Sequence, residues 1–207
     1  MKAYAILDGG GVKAAALAGC LKAAEESGIK FEGYGGTSAG SIVALLACIG
    51  NTGDELREIV AEQGELSELL NEDLSELELA QTIPAIFPVR WWELPGQYRR
   101  YRALFNKLLT HKGLYDGGLL KEFLCEKITD RMPYLQQSSA YNVRFAQLRA
   151  VFEEHMLRKC PLLKIVVSDI GQRRAEVYSA CGHPENNGYV IDAVRASTSF
   201  PFSCSVR

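Results

Sequence analysis

The sequence has no excess of basic residues, few histidines and no long hydrophobic run. Its 207 residues contain 23 Lys and Arg against 25 Asp and Glu, which gives a formal net charge of −2. A nucleic-acid-binding domain normally carries a strongly basic face, so the composition argues against nucleic acid as a partner. The longest apolar run, residues 42–49, is far shorter than the roughly 20 residues that a membrane-spanning helix needs.

The six cysteines also lack the spacing of a metal or redox site, because no Cys-x-x-Cys pair occurs. No signal peptide is visible after Met1-Lys2, so we expect a reduced, cytoplasmic protein. Cys20 and Cys48 fall in apolar stretches, where a free thiol behaves as a small hydrophobic group. No cluster of His, Cys and carboxylate residues has ligand spacing, and we expect neither a metal nor another cofactor.

The remaining composition is that of a globular protein. Apolar residues make up 47% of the chain and charged residues 23%, which excludes disorder over most of the length. A chain of this size can bury a substantial core within one domain. We therefore expect residues 1–207 to form a single domain.

The first part of the chain has the pattern of a strand, a glycine loop, a helix and a second strand. Residues 3–7 are almost wholly apolar, as in a strand buried on both faces of a parallel sheet. They run into the glycine loop, which we define as residues 8–13 (Asp-Gly-Gly-Gly-Val-Lys). A helix over residues 14–27 follows, with Gly28 as its C-cap, and then a strand over residues 29–34. This βαβ order predicts an α/β fold.

The pentapeptide Gly36-Thr37-Ser38-Ala39-Gly40 has the Gly-x-Ser-x-Gly pattern of a nucleophile elbow. A predicted strand precedes it, and residues 41–49 predict a helix that is apolar almost all round and therefore buried. The glycines permit strained backbone angles and close approaches that a Cβ atom would block. The helix N-terminus favours a developing negative charge at the serine. We predict that Ser38 is a nucleophile.

The glycine loop permits two functional interpretations. Its Gly-x-Gly-x-x-Ala pattern could bind a dinucleotide pyrophosphate, with Glu32 near the end of the second strand on the ribose. Its backbone N–H groups could instead form an oxyanion hole for acyl transfer. The carboxyl ends of neighbouring parallel strands meet at one rim of the sheet, so the loop and Ser38 should lie together. A nucleophile beside an anion hole favours acyl transfer.

The middle of the chain divides into an acidic and an aromatic–basic part. Residues 51–80 carry ten acidic side chains against Arg57 alone, with leucines at helical spacing, and predict one or two surface helices. Residues 82–112 interleave aromatic rings with basic side chains, which suits either a lipid interface or a cap folded over the sheet. The aromatic and basic residues of this stretch are Phe87, Arg90, Trp91, Trp92, Tyr98, Arg99, Arg100, Tyr101, Arg102, Phe105, Lys107 and Lys112.

The last part of the chain predicts further helices and strands. Asp116 resembles the N-cap of a helix over residues 119–128. Strands are predicted over residues 162–168 and 175–179, and a short helix over 189–196. The side chains expected on the inner face of the first helix are Leu119, Leu120, Phe123 and Leu124.

Over most of its length the chain resembles the patatin-like phospholipases. The glycine loop matches the oxyanion loop of that family, and residues 36–40 match its nucleophile elbow at the expected spacing. Residues 168–171 and 193–201 are similar to a family strand-and-turn and a late helix-to-proline segment. Ala14 departs from the pattern, since the family usually has glycine there.

The resemblance implies a three-layer α/β fold, with a mainly parallel sheet and helices on both faces. It also implies a lipid acyl hydrolase of the phospholipase A or lysophospholipase type, acting through a Ser–Asp dyad without a metal. Ser38 is then the nucleophile, and a phospholipid or other acyl lipid is the substrate, met at a membrane surface. The amides expected to bind the oxyanion are those of Gly10, Gly11, Val12 and Ala39.

The dyad aspartate is the point at which the resemblance breaks. In the family it lies in an Asp-Gly-Gly/Ala motif after the Phe-Pro segment, and the sequence stops at Arg207 before any such motif. We therefore expect the domain to be truncated and its aspartate to lie beyond Arg207. Outside the glycine loop, whose residues 8–10 are also Asp-Gly-Gly, the motif occurs at Asp116, on the wrong side of the predicted 168–180 hairpin. Asp169 and Asp192 are poorer candidates, one in a turn and the other on a helix.

Two alternatives remain open. An α/β-hydrolase ordering Ser38–Asp169–His183 is available, although that fold normally has several strands before its elbow. The chain could also be an incomplete or inactive family member that serves as a lipid-binding module. Nothing in the sequence indicates an oligomeric state.

Overall fold

The computed structural model describes residues 1–10, 14–62, 117–135, 137–156, 159–169, 171–181 and 187–199. Within them, four strands form one sheet in the order β1-β2-β3-β4. Strands β1, β2 and β3 are parallel, and β4 runs antiparallel to β3. The predicted α/β class with a mainly parallel sheet is therefore confirmed. The strands are β1 (Lys2–Leu7), β2 (Lys30–Gly36), β3 (Leu162–Asp169) and β4 (Arg174–Ser179).

The helix that follows β2 lies at the centre of the described core. All ten of its residues are buried, and it packs against the three parallel strands and the last helix. This is the helix that the apolar run after Ser38 predicted. The helices are α1 (Ala14–Glu26), α2 (Ala39–Cys48), α3 (Gly53–Glu62), α4 (Gly118–Arg131), α5 (Gln137–Ala140), α6 (Phe145–Met156) and α7 (Val190–Thr198).

Helix α1 ends in the predicted glycine cap. Gly28 has a left-handed φ of 76°, and its N–H donates to the carbonyl of Glu25 at 2.9 Å. The N–H of Ile29 donates to the carbonyl of Ala24 at 3.0 Å, which closes the last turn. These bonds satisfy carbonyls that a helix end leaves open, and they turn the chain back into β2.

Helix α4 differs in detail from the sequence-based expectation. Its N-cap is Gly117, with a left-handed φ of 70°, one residue later than the predicted Asp116. Leu120, one of the predicted inner residues, is buried, but Leu119 is 44% exposed. The helical face that packs on the core is therefore narrower than the run of leucines suggested. Phe123 and Leu124 are buried as expected.

Strand β1 alternates instead of being buried on both faces. Ala5 and Leu7 belong to the core, whereas Tyr4 and Ile6 are 61% and 81% exposed. The prediction of a fully buried strand was wrong for this strand in the described part of the chain. An almost uninterrupted apolar run has no alternation of polar and apolar residues. The sequence therefore does not distinguish a strand buried on one face from a strand buried on both.

Parts of the chain with specific predictions lie outside the described residues. These include the aromatic–basic stretch 82–112 and most of the acidic region after α3. Of the cysteines in the described ranges, Cys48 is buried as expected, whereas Cys20 is exposed. No helix in these ranges is both long enough and apolar enough to cross a bilayer.

Candidate functional site

Ser38 occupies the sharp turn between β2 and α2. Its backbone angles are φ 50° and ψ −130°, a conformation that side-chain-bearing residues adopt rarely and at a cost in free energy. The only other described non-glycine residue with positive φ is Arg173. A strained serine at the end of a parallel strand is the backbone geometry of a nucleophile elbow.

Two glycines let the elbow pack tightly against its surroundings. A methyl group at Gly40 would lie 2.6 Å from the carbonyl oxygen of Asp8 and would also clash with the carbonyl of Leu7. A methyl group at Gly36 would lie 2.7 Å from the Cα atom of Ser41. Contacts this short do not occur for real Cβ atoms, so the Gly-x-Ser-x-Gly pattern is required by sterics on both sides of Ser38.

The described part of the glycine loop, residues 8–10, lies beside the elbow at one rim of the sheet. Leu7 and Gly36, the last residues of β1 and β2, are register partners, and the N–H of Thr37 donates to the carbonyl of Leu7 at 3.2 Å. A methyl group at Gly9 would be 3.1 Å from the Cβ atom of Ser38. This adjacency, expected from the strand order, is confirmed.

Two of the predicted oxyanion donors lie in the described residues. Neither the N–H of Gly10 nor that of Ala39 donates a hydrogen bond to another described residue. The N–H of Gly9 is engaged by the carboxylate of Asp8 at 2.8 Å. Gly11 and Val12 fall outside the described ranges.

The hydroxyl of Ser38 is not used for capping α2. Ser38 occupies the N-cap position, where a serine side chain normally accepts a hydrogen bond from the helix, yet no such bond is present. Its carbonyl accepts hydrogen bonds from the N–H of Ser41 at 2.8 Å and from the Ser41 hydroxyl at 2.6 Å. The helix therefore holds the backbone of Ser38, and the Oγ of Ser38 takes no part in the cap.

Ser197 on α7 hydrogen-bonds to the backbone of the elbow. Its Oγ accepts from the N–H of Ser38 at 2.9 Å and donates to the carbonyl of Val166 in β3 at 2.6 Å. This contact is not predictable from the sequence, in which Ser197 is one residue of the late segment 193–201. A lone serine 159 positions away carries no periodicity or motif that would reveal it.

The described carboxylates named as alternative acids are engaged elsewhere. Asp169 accepts a hydrogen bond from the N–H of Gln172 at 2.9 Å and so closes the β3–β4 turn. Asp192 forms an ion pair with Lys121 at 2.6 Å. Asp116 and His183 lie outside the described residues. Across the described ranges, no three His, Cys, Asp or Glu side chains converge in a way that could hold a metal ion.

Glu32 lies at the opposite end of β2 from the glycine loop. Its carboxylate is 2.5 Å from the ammonium of Lys2, and the hydrogen bond from Lys2 lowers the pKa of the Glu32 carboxyl. The prediction that placed Glu32 near the end of the strand was wrong, because β2 continues to Gly36. Glu32 would therefore lie far from the ribose of a dinucleotide bound at the glycine loop. The dinucleotide-binding interpretation of the loop loses its support.

Comparison with known proteins gives one family. The model of the patatin-like phospholipase family matches residues 5–206. The protein YqhO of Bacillus subtilis (strain 168) is 42% identical over 57 residues, which are 28% of this chain and 20% of that protein.

Two solved structures are similar in fold. ExoU of the Pseudomonas aeruginosa type III secretion system, in complex with SpcU, has a TM-score of 0.55 and 22% identity, covering 96% of this chain and 38% of that chain. VipD of Legionella pneumophila has a TM-score of 0.54 and 18% identity, covering 98% of this chain and 43% of that chain. The chain thus spans less than half the length of the proteins it matches. At these identities the likeness concerns the fold alone.

Proposed function

The chain belongs to the patatin-like phospholipase family, and from that premise we propose that it hydrolyses acyl lipids with Ser38 as the nucleophile. The activity would be of the phospholipase A or lysophospholipase type. The observation that carries this proposal is the strained turn at Ser38, whose hydroxyl is left out of helix capping beside the glycine loop. Such strain persists only where the surroundings enforce it, and it is typical of functional sites.

The reaction proceeds in two steps. Ser38 Oγ attacks the carbonyl carbon of the ester while a carboxylate takes its proton, and the C–O bond to the alcohol then breaks as that proton passes to the leaving oxygen. The acyl group remains on Ser38 as an ester. Water, deprotonated by the same carboxylate, attacks this ester and releases the fatty acid, and the proton returns to Ser38.

The oxyanion of each tetrahedral intermediate is bound by backbone amides. We assign two of the donors to Gly10 and Ala39, whose amides donate to no other described residue. Gly11 and Val12 complete the set in this proposal. Loss of one such donor typically lowers turnover by about 10²–10³. The N-terminus of α2 adds a favourable field, because its peptide dipoles point their positive end at the serine.

The proton acceptor is proposed to be the aspartate of a Ser–Asp dyad. The family pattern expects it in an Asp-Gly-Gly/Ala motif after the Phe-Pro segment, and Asp116 has the same local sequence. Asp169 and Asp192 are weaker candidates because the turn N–H and the ion pair already hold them. We also propose that residues 1–207 belong to one domain, and that the protein acts in the cytoplasm.

The test of the proposed function is covalent labelling with a fluorophosphonate. The probe should add to a single residue, and peptide mapping by mass spectrometry should place it on Ser38. A parallel assay should show release of fatty acid from phospholipid and lysophospholipid. Unlabelled protein that still binds lipid vesicles would contradict the proposal and favour the lipid-binding module. Loss of labelling in His183→Asn, with Asp116→Asn unaffected, would instead favour the Ser38–Asp169–His183 ordering.

A contact with anionic membranes is a further prediction, carried by the basic and aromatic residues of 82–112. Neutralising Arg99, Arg100 and Arg102 together should weaken co-sedimentation with anionic liposomes. Binding by the unchanged protein should fall with added salt, because exposed charges are screened beyond about 10 Å at 0.1 M. Hydrolysis of a soluble monomeric ester should be unchanged in the variant. Equal loss of vesicle binding and soluble-ester hydrolysis would indicate a structural cap over the sheet instead.

A further inference from the structure

The amide of Ser38 has a partner that comes from a distant part of the chain. At an elbow the carbonyl of the serine is taken up by the following helix, as the two bonds from Ser41 show. The N–H points away from that helix and needs another acceptor, because an unpaired amide in a partly buried turn is unfavourable. Ser197 Oγ supplies it at 2.9 Å.

The direction of the Ser197 hydrogen bonds is fixed. A hydroxyl has one proton to donate, and that of Ser197 goes to the carbonyl of Val166 at 2.6 Å. Towards Ser38 the oxygen is therefore only an acceptor, with its lone pair aimed at the amide. One side chain thus joins α7, β3 and the elbow, and it holds the elbow in a fixed position relative to the sheet.

We propose that Ser197 is a positioning residue for the nucleophile, an inference that rests on the proposed function of Ser38. The φ of 50° at Ser38 determines where its Cβ and Oγ point. If the amide is released, the turn relaxes towards a less strained angle and the Oγ shifts from its line of attack. Misplacement of a reacting atom by about 1 Å costs on the order of 10² in rate.

Helix α7 does not depend on Ser197 for its attachment. Its other side chains provide an apolar face, including Val190, Ile191 and Val194, all buried. Within the described residues, the Oγ of the neighbouring Ser199 makes a local bond alone, to the carbonyl of Arg195 at 2.7 Å. Ser199→Ala is therefore a matched control, since it removes a hydroxyl from the same helix end without touching the elbow.

The experiment compares the unchanged complete protein with Ser197→Ala, Ser197→Thr and Ser199→Ala. We expect Ser197→Ala to lower kcat on a soluble ester and the rate of fluorophosphonate inactivation by about 10–100-fold, with KM nearly unchanged. Ser197→Thr keeps the hydroxyl and should recover most of the loss. Amide hydrogen exchange at Ser38 should be faster in Ser197→Ala and unaffected in Ser199→Ala.

The outcomes separate the two proposals. Normal kcat in folded Ser197→Ala overturns the positioning role, as does a loss that Ser199→Ala reproduces. Failure of a folded Ser197→Thr to recover activity also counts against it. If Ser197→Ala does not fold, the exchange rate and activity of Ser197→Thr decide the question. If the unchanged protein is not labelled at Ser38, the proposed function falls and the positioning role falls with it, whatever the exchange data show.

Discussion

Replacement of Ser38 by alanine should lower the turnover of acyl-lipid esters by about 10⁴–10⁶, the range found when a serine nucleophile is removed. The variant keeps the Cβ atom and the backbone contacts of the elbow, so the loss comes from the missing Oγ. Because that hydroxyl does not cap α2, the thermal midpoint should stay within a few degrees of the unchanged protein. Steady-state hydrolysis and differential scanning calorimetry measure the two effects.

Ser27→Ala is the control for this prediction. The hydroxyl of Ser27 donates to the carbonyl of Ala23 at the end of α1, on an exposed surface. Its removal should leave turnover unchanged. If Ser38→Ala retained more than about one-hundredth of the activity, a different nucleophile would have to be sought.

Replacement of Gly40 by alanine should cost at least about 3 kcal/mol of unfolding free energy. The added methyl group would meet the carbonyl oxygens of Leu7 and Asp8, and these belong to the end of β1 and the start of the glycine loop. Backbone atoms cannot rotate away as a side chain can, so α2 or β1 must move. Denaturant unfolding followed by circular dichroism gives the change in free energy.

Gly19→Ala is a control of the same chemical size. Gly19 lies inside α1, and a methyl group there would meet no described atom within 4 Å beyond its own helix backbone and chain neighbours. Since alanine is favoured over glycine in a helix, the substitution should stabilise the protein by about 0.5–1 kcal/mol. Equal stability of the Gly40→Ala variant and the unchanged protein would show that α2 does not approach β1 so closely.

The sequence predicted the structural features that are determined by residues close together along the chain. The glycine cap at Gly28 and the buried helix after Ser38 follow from local patterns, and both are observed. The meeting of the glycine loop with the elbow could also be foreseen, because parallel strands end at one rim. That inference needed only the order of strand, helix and strand.

The predictions that failed concern features that depend on where a strand or helix ends, or on contacts between residues far apart in the chain. Glu32 was predicted near the carboxyl end of its strand, but it is the third residue of β2 (Lys30–Gly36). Glycine does not favour a strand, so the sequence did not indicate that β2 continues to Gly36. Leu119 is exposed because the rotation of α4 is set by packing, which local pattern does not fix. Ser197 had no visible signal, since its partners in β3 and the elbow come together only in the folded chain.

The long separation between Ser38 and Ser197 has a consequence for biosynthesis. The two residues are 159 positions apart, and ribosomes add roughly 5–20 residues per second. A nascent chain therefore carries the elbow for about 8–30 s before α7 can be made, and longer before that helix leaves the exit tunnel. During this time the Ser197 hydroxyl that accepts the hydrogen bond from the Ser38 amide is absent. The link between the turn and β3 through α7 is therefore also absent. Ribosome-bound chains stalled before residue 197 should consequently react with a fluorophosphonate far more slowly than the released protein.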